Sequence, residues 1–313
     1  MKEVQCFAHL ANVEDIPLEA LPQLAYISKT VPESSVHPRV MHSHEDLCEL
    51  VLIWEGEADY SIGGRERRVH CGDLIVYNSG VIHDERYGRN VPIASYCIAM
   101  RGLKLRGLRE NALIPDNDNP VFPSGSHFEA LRDTMSLMFD ALCTNADGCG
   151  HYCRHLLLGV LSRVWALRNS APAAASVQPN LLGSRIKALI DLHYTEDISL
   201  QSLADGLHIS PYYLSHVFKD MTGYAPGQYI TRRRVGLAQN LLISTNMPVS
   251  DIAARVGYPS PSHFHDRFTK NVGMSPSAYR KTYIVHSESQ ESASLDAVSV
   301  KNPPAPGKQK ART

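Results

Sequence analysis

Residues 42–49 read HSHEDLCE, which sets His42 and His44 two apart with Glu49 five residues on; His83 closes the later run GDLIVYNSGVIH. Neutral imidazoles and a carboxylate that converge on one point suit Zn, Mn, Fe or Ni. The same groups suit hydrogen bonding to a sugar or an organic acid, or can satisfy one another and water. Spacing alone leaves these uses open. A second cluster, CGHYCRH at 149–155, is weaker. On a helix Cys149 and Cys153 share one face and His151 and His155 another, so four ligands on one short helix cannot close a tetrahedron.

The elements around the first cluster are short and β-rich from about residue 36 to 100. LCELVLIWEG alternates imperfectly, EADYSI runs into Gly63-Gly64 and RERRVH follows, a hairpin signal. CGDLIVYNSG and VPIASYCIAM supply further strands, and such a series without helical periods indicates a sandwich or barrel. Residues 101–126, rich in Gly, Asn, Asp and Pro, read as irregular loops. From 127 the period changes: Phe128, Leu131, Met135, Met138 and Leu142 recur at helical spacing, as do Leu156, Leu157, Val160, Leu161, Val164 and Leu167. This predicts a helical hairpin that packs on the barrel or on a second subunit. SAPAAASVQPN (170–180) reads as a linker, and the segment beyond Tyr283 as a disordered tail.

A chain of 313 residues can hold two domains with separate cores. Lys and Arg number 12 against 18 Asp and Glu over residues 1–126, a net of −6, but 11 against 7 over 181–283, a net of +4. Only the back half is therefore suited to approach a polyanion. Seven scattered cysteines fit reduced thiols in a cytosol. No apolar run is long enough to span a bilayer, and the first residues lack a signal-peptide pattern, so no membrane association is expected.

Residues 200–230 and 249–280 are one unit repeated. Leu200, Leu203, Ala204 and Leu207 fall on Val249, Ile252, Ala253 and Val256 at an offset of 49. After one extra residue near Pro259 the offset is 50, and Ser210, Pro211, Leu214, Phe218, Gly223, Pro226 and Tyr229 fall on Ser260, Pro261, Phe264, Phe268, Gly273, Pro276 and Tyr279. An insertion at the turn, with register kept on both sides, marks duplicated helix–turn–helix units. In the first unit Ser199 is the expected N-cap of one helix, and Ser210-Pro211 the N-cap and N1 of the next. The second helix would bury Leu214, Val217 and Phe218. At about 100° per residue its other face presents Tyr212, Ser215, His216 and Lys219, a donor-bearing set suited to a major groove. In the second unit Phe264 and Phe268 turn inward. Ser262, His263, His265, Asp266 and Thr269 turn outward, flanked by Arg267 and Lys270. The amphipathic helix between the units carries Arg232, Arg233 and Arg234 near its start, within expected reach of phosphates. Successive major grooves lie roughly 34 Å apart, so a rigid connector lets one chain read two of them.

Residues about 185–283 resemble the DNA-binding domain of AraC/XylS-type bacterial transcription regulators. The resemblance is carried by SLQSLADGLHISPYYLSHVFKDMTG, by the connecting helix and above all by IAARVGY…SHFHDRFTKNVGMSPSAYR. It implies helix–turn–helix units at about 203–224 and 251–274. It also implies base-reading roles for Tyr212, Ser215 and His216, and for Ser262, His263 and Asp266. Asp266 departs from the basic residue often found there. A carboxylate repels phosphates and reads a base only by accepting from an amino group such as that of cytosine, so pairing with a neighbouring arginine is its simpler use. The His42-x-His44…Glu49…Gly56 run and the run ending at His83 resemble the two cupin motifs, whose three histidines and glutamate bind a metal in cupin enzymes. Asn78 stands where proline is usual. In the regulators the same barrel is a small-molecule sensor.

The expected fold is therefore two-domain α+β. A cupin-like β-barrel (1–125) and a helical hairpin for packing or dimerisation (126–169) precede a linker (170–180), an all-α domain of two helix–turn–helix units joined by a linker helix (181–283) and a tail (284–313). The expected function is a sequence-specific transcription regulator, an activator, controlled by an effector held at His42, His44, Glu49 and His83. A sugar or related metabolite is the first expectation for that effector. The alternative is a metal-dependent cupin enzyme or metal sensor fused to a DNA-binding domain. No catalytic residue and no cofactor are assigned, with a divalent metal at the same four residues held open. Expected DNA contacts are Tyr212, Ser215, His216, Lys219, Arg232, Ser262, His263, Asp266 and Lys270. Expected partners are double-stranded DNA, the effector, RNA polymerase and a second copy in a homodimer, in the bacterial cytoplasm and at the nucleoid when DNA is bound.

Overall fold

The computed structural model describes residues 15–32, 39–86, 93–145, 147–170 and 181–282. The tail, and the linker beyond Ser170, lie outside these residues. The chain begins with β1 (Leu18–Ala20), β2 (Gln23–Thr30), β3 (Cys48–Glu55), β4 (Glu57–Ile62) and β5 (Arg65–His70). It continues with β6 (Asp73–Tyr77), β7 (His83–Arg86), β8 (Ala94–Arg101), β9 (Lys104–Leu105) and β10 (Val121–Pro123). An antiparallel sheet in the order β10-β6-β3-β8-β2 faces a smaller sheet, β5-β4-β7, and β1 pairs with β9. Gly63 and Gly64, at φ 59° and 88°, form the two-residue turn that sets Ile62 opposite Arg65, since both positions demand left-handed backbone.

β3 explains why its alternation reads imperfectly: both of its faces are covered. Cys48, Leu50 and Leu52 point outward, under the helical hairpin α1 (Phe128–Thr144) and α2 (Cys149–Ser170), against Leu131, Met135, Met138, Leu157 and Leu161. Val51 and Ile53 point into the barrel, among Tyr60, Ile62, Val69, Ile75, Tyr77 and Ile93. Glu49 shares that inner face by the period of two. The hairpin thus spends its apolar stripe on the sheet. Asn78 has a structural use: its amide donates to Ile114 O at 2.7 Å and accepts from Leu113 N at 2.9 Å, tying the 111–116 loop to the end of β6.

The second half consists of α3 (Leu181–His193), α4 (Leu200–Gly206), α5 (Pro211–Thr222), α6 (Pro226–Ser244), α7 (Val249–Arg255) and α8 (Pro261–Val272). Ser199 caps α4 through Ser202 N, and Ser210 caps α5 through Tyr213 N; Ser260 occupies the N-cap of α8 without a side-chain bond. The repeat holds at backbone level. Ile209 N donates to Ala204 O and Tyr258 N to Ala253 O, and His208 and Gly257 both sit at positive φ in the turn. Gly223 and Gly273 end α5 and α8 in left-handed conformation. Phe218, Tyr229, Val235, Ala238, Phe264, Phe268 and Tyr279 fill one core, and Val40, Met41 and Ile82 of the barrel belong to that same core.

Candidate effector site and nucleic-acid interface

α5 and α8 are built alike. Each starts on a proline, buries two large side chains (Leu214 and Phe218, Phe264 and Phe268) and turns its other face outward. Tyr212 is 75% exposed, a high value for an aromatic side chain. His216 and Lys219 are exposed and Ser215 half-buried; on α8, Ser262, His263, Asp266 and Lys270 are all exposed. The Tyr212 ring meets the His216 ring edge-on at 4.4 Å.

Two expectations are corrected here. Arg232 does not face solvent: its Nε and Nη2 donate to Asp84 of β7 at 2.7 and 2.6 Å, with the Asp84 side chain fully buried and Arg232 only 20% exposed. Its neighbours are also spent inside the protein. Arg233 lies 3.2 Å from Asp191, and Arg234 donates to the carbonyls of Tyr194 and Glu196. The arginine run fastens α6 to its surroundings instead of meeting phosphates. Asp266 is the second correction. The expected pairing with a neighbouring arginine is not made, since Arg267 donates to His263 Nε2 at 3.1 Å and the exposed Asp266 carboxylate has Oδ1 3.9 Å from His265 Nδ1.

The four residues of the first cluster do meet. His42, His44, Glu49 and His83 each bring one ligating atom to within 4.8 Å of the others. β3 supplies Glu49 and β7 supplies His83. His42 is placed by a two-way backbone bridge to His83, both bonds 2.9 Å. His42 Nδ1 faces Val40 O at 3.1 Å and His83 Nδ1 faces Val81 O at 3.0 Å. A carbonyl only accepts, so each Nδ1 carries a proton. His44 Nε2 is buried without a hydrogen-bond partner and lies 3.7 Å from Glu49. The Tyr77 ring stacks flat on His83 at 3.9 Å and holds it in place.

Burial pushes His44 down to about 4, and burial with the charges of His83, Arg39 and His44 takes His42 well below the usual imidazole range. Burial alone would raise the Glu49 carboxyl. The hydrogen bond and charge of His83, with His44 and Arg39, instead hold it well below the carboxylate range. Tyr26 donates to the same carboxylate, and the Cys97 thiol 3.7 Å away is kept protonated chiefly by burial. Three imidazoles beside an ionised carboxylate are a donor set that fits a divalent transition ion. When bound, such an ion would supply a fixed positive charge; the residues would hold it by three nitrogens and one oxygen.

Asp84, Arg39 and Gly236, which lie where the barrel meets α6, were not among the residues singled out from the sequence. Arg39 Nη2 donates to Asn240 Oδ1 at 2.7 Å, Val40 N to Gln239 Oε1 at 2.8 Å, and Tyr224 to Asp84. A Cβ on Gly236 would sit 2.0 Å from Met41 O. Only a glycine lets these backbones come so close. A glycine inside an otherwise good helix was the one available signal for this contact.

Residues 21–157 match the AraC-like ligand binding domain family and residues 203–282 a helix-turn-helix domain family. Over 246 residues the chain is 26% identical to an uncharacterised HTH-type transcriptional regulator, YdiP of Escherichia coli, covering 77% of this chain and 81% of that one. It is 25% identical to the lactose operon transcription activator of Staphylococcus xylosus, covering 76% and 85%. Among solved structures, the C-terminal domain of the response regulator AraT from Geobacillus stearothermophilus is 36% identical over 34% of this chain and 88% of that one, with a TM-score of 0.33.

Proposed function

Since the chain belongs to the AraC-type transcription regulators, in which a ligand-binding domain controls a helix-turn-helix DNA-binding domain, we propose that it is an activator that reads its operator through Tyr212, Ser215, His216, Ser262, His263 and Asp266. Lys219 and Lys270 supply phosphate contacts. The effector is held by His42, His44, Glu49 and His83, and the chain works as a homodimer that engages RNA polymerase in the cytoplasm. It acts as a regulator and carries out no chemistry of its own. The observation behind this reading is the pair of helices α5 and α8, which bury their aromatic and aliphatic side while their donor-bearing side stays open. That arrangement suits insertion into a groove.

The test is binding of the full chain to its own promoter and to random duplex across a salt series. Selectivity for the promoter that falls in Tyr212→Ala and His263→Ala supports the reading. Equal affinity for both duplexes defeats it.

A further inference from the structure

The cluster in the barrel is a set of ligating atoms that converge, all within 4.8 Å of one another. His83 Nε2 and Glu49 Oε2 stand 3.3 Å apart, and His44 Nε2 lies 3.7 Å from Glu49 Oε1. His44 Nε2 is buried with no hydrogen-bond partner among the described residues. The barrel interior beside them is lined by Val51, Ile53, Tyr60, Ile62, Ile75 and Tyr77. Three imidazoles and one carboxylate so close together suit a single ion.

The same residues are joined to the DNA-binding half. His42 follows Met41, whose carbonyl rests on Gly236 of α6. His83 precedes Asp84, whose carboxylate accepts from Met41 N at 3.2 Å and from Arg232 of α6. Arg39, whose charge helps keep Glu49 ionised, holds Asn240 on that helix too. Ligands around a tetrahedral ion at ~2.1 Å lie about 3.4 Å from one another. His83 already stands at that spacing from Glu49, so closing from separations of up to 4.8 Å elsewhere in the set draws on the other ligands, and a shift of His42 carries Met41, which donates to Asp84, with it. A contact as tight as that at Gly236 has no slack to absorb the shift.

We propose that His42, His44, Glu49 and His83 bind a divalent first-row transition ion, and that its binding is passed through Met41 and Asp84 to α6, so that the ion is the signal this protein reads. The last clause rests on the regulator reading above; binding and transmission do not.

The test uses the full chain, stripped with chelator and titrated with Zn(II) and Mn(II). One ion per chain is expected, with affinity about 100-fold weaker in His44→Gln, a rim substitution of similar size. Ion binding should change amide hydrogen exchange over residues 235–242 in the wild-type chain. Asp84→Asn should keep the stoichiometry and lose that response. Promoter affinity should shift about 5-fold or more on adding the ion. No stoichiometric ion, or an ion held equally by His44→Gln, overturns the site. A bound ion with unchanged exchange in α6 overturns the transmission, and a sugar that raises the melting temperature of metal-free chain while ions do not overturns the ion as effector. If the ion binds and α6 responds but the chain shows no preference for its promoter, the regulator reading falls alone.

Discussion

Arg232→Ala separates two uses of one guanidinium. Asp84 is fully buried and accepts from Arg232 Nε, Arg232 Nη2, Tyr224 and Met41 N. The substitution removes two of these four donors and the only formal positive charge among them. Stripping one partner from a buried ion pair costs about 3–5 kcal/mol, because the other charge stays behind uncompensated. The two donors that remain hold the loss near the lower end, about 3 kcal/mol. At roughly 2–4 °C per kcal/mol for a domain of 150–250 residues, the melting temperature should fall by about 6–12 °C. Asp84→Asn combined with Arg232→Met removes both charges and should recover most of the loss. The DNA measurement points the other way. Each phosphate contact contributes about 0.9 to the slope of log affinity against log salt. An arginine occupied by Asp84 contributes none, so the slope of Arg232→Ala should match wild type. Thermal denaturation followed by circular dichroism and a salt series of fluorescence polarisation settle both points. A melting temperature within about 1 °C of wild type, with the slope reduced by about 0.9, would refute the assignment of Arg232 to the barrel.

Lys219 is exposed on α5, and Lys219→Ala should weaken binding to all duplexes alike and lower the salt slope by about 0.9. Tyr212→Ala or His216→Ala should instead cost about 1–3 kcal/mol at the matched operator and little on random duplex, read by competition binding. Gly236→Ala improves helix propensity by about 1 kcal/mol, yet its methyl would meet Met41 O at 2.0 Å; a lower melting temperature is expected, and a higher one would show that this contact is dispensable. Phe268 is wholly buried, so Phe268→Ala should cost about 3–5 kcal/mol in urea unfolding.

What the sequence showed depended on whether a signal was local. The α4–α5 and α7–α8 units were legible because serine caps, prolines at N1 and glycine stops act within a few residues, and the duplication repeated them. The five strands quoted from the barrel were visible for the same reason. β2 was missed: it lies at a sheet edge, its residues are only half-buried or exposed, and its partner β8 begins more than sixty positions later. α3 escaped too, since LLGSRIKALIDLH carries its glycine early and follows a stretch that reads as linker. Within the candidate site, the ligand set could be read from spacing, but its hold on α6 could not. Nothing in spacing ties Asp84 to Arg232, 148 residues away, and charge alone made Arg232 resemble a phosphate ligand. Burial decided otherwise.

Val40, Met41 and Ile82 lie in the hydrophobic interior of the helical half, which limits how freely such a protein can be recombined. A chimaera that swaps sensors at a boundary drawn between barrel and helices would leave a greasy scar on each piece. A working hybrid must transplant residues 39–41 and 82–84 together with the α6 surface they fit. Sensor and reader are separate in sequence order, but they share one interior at this seam.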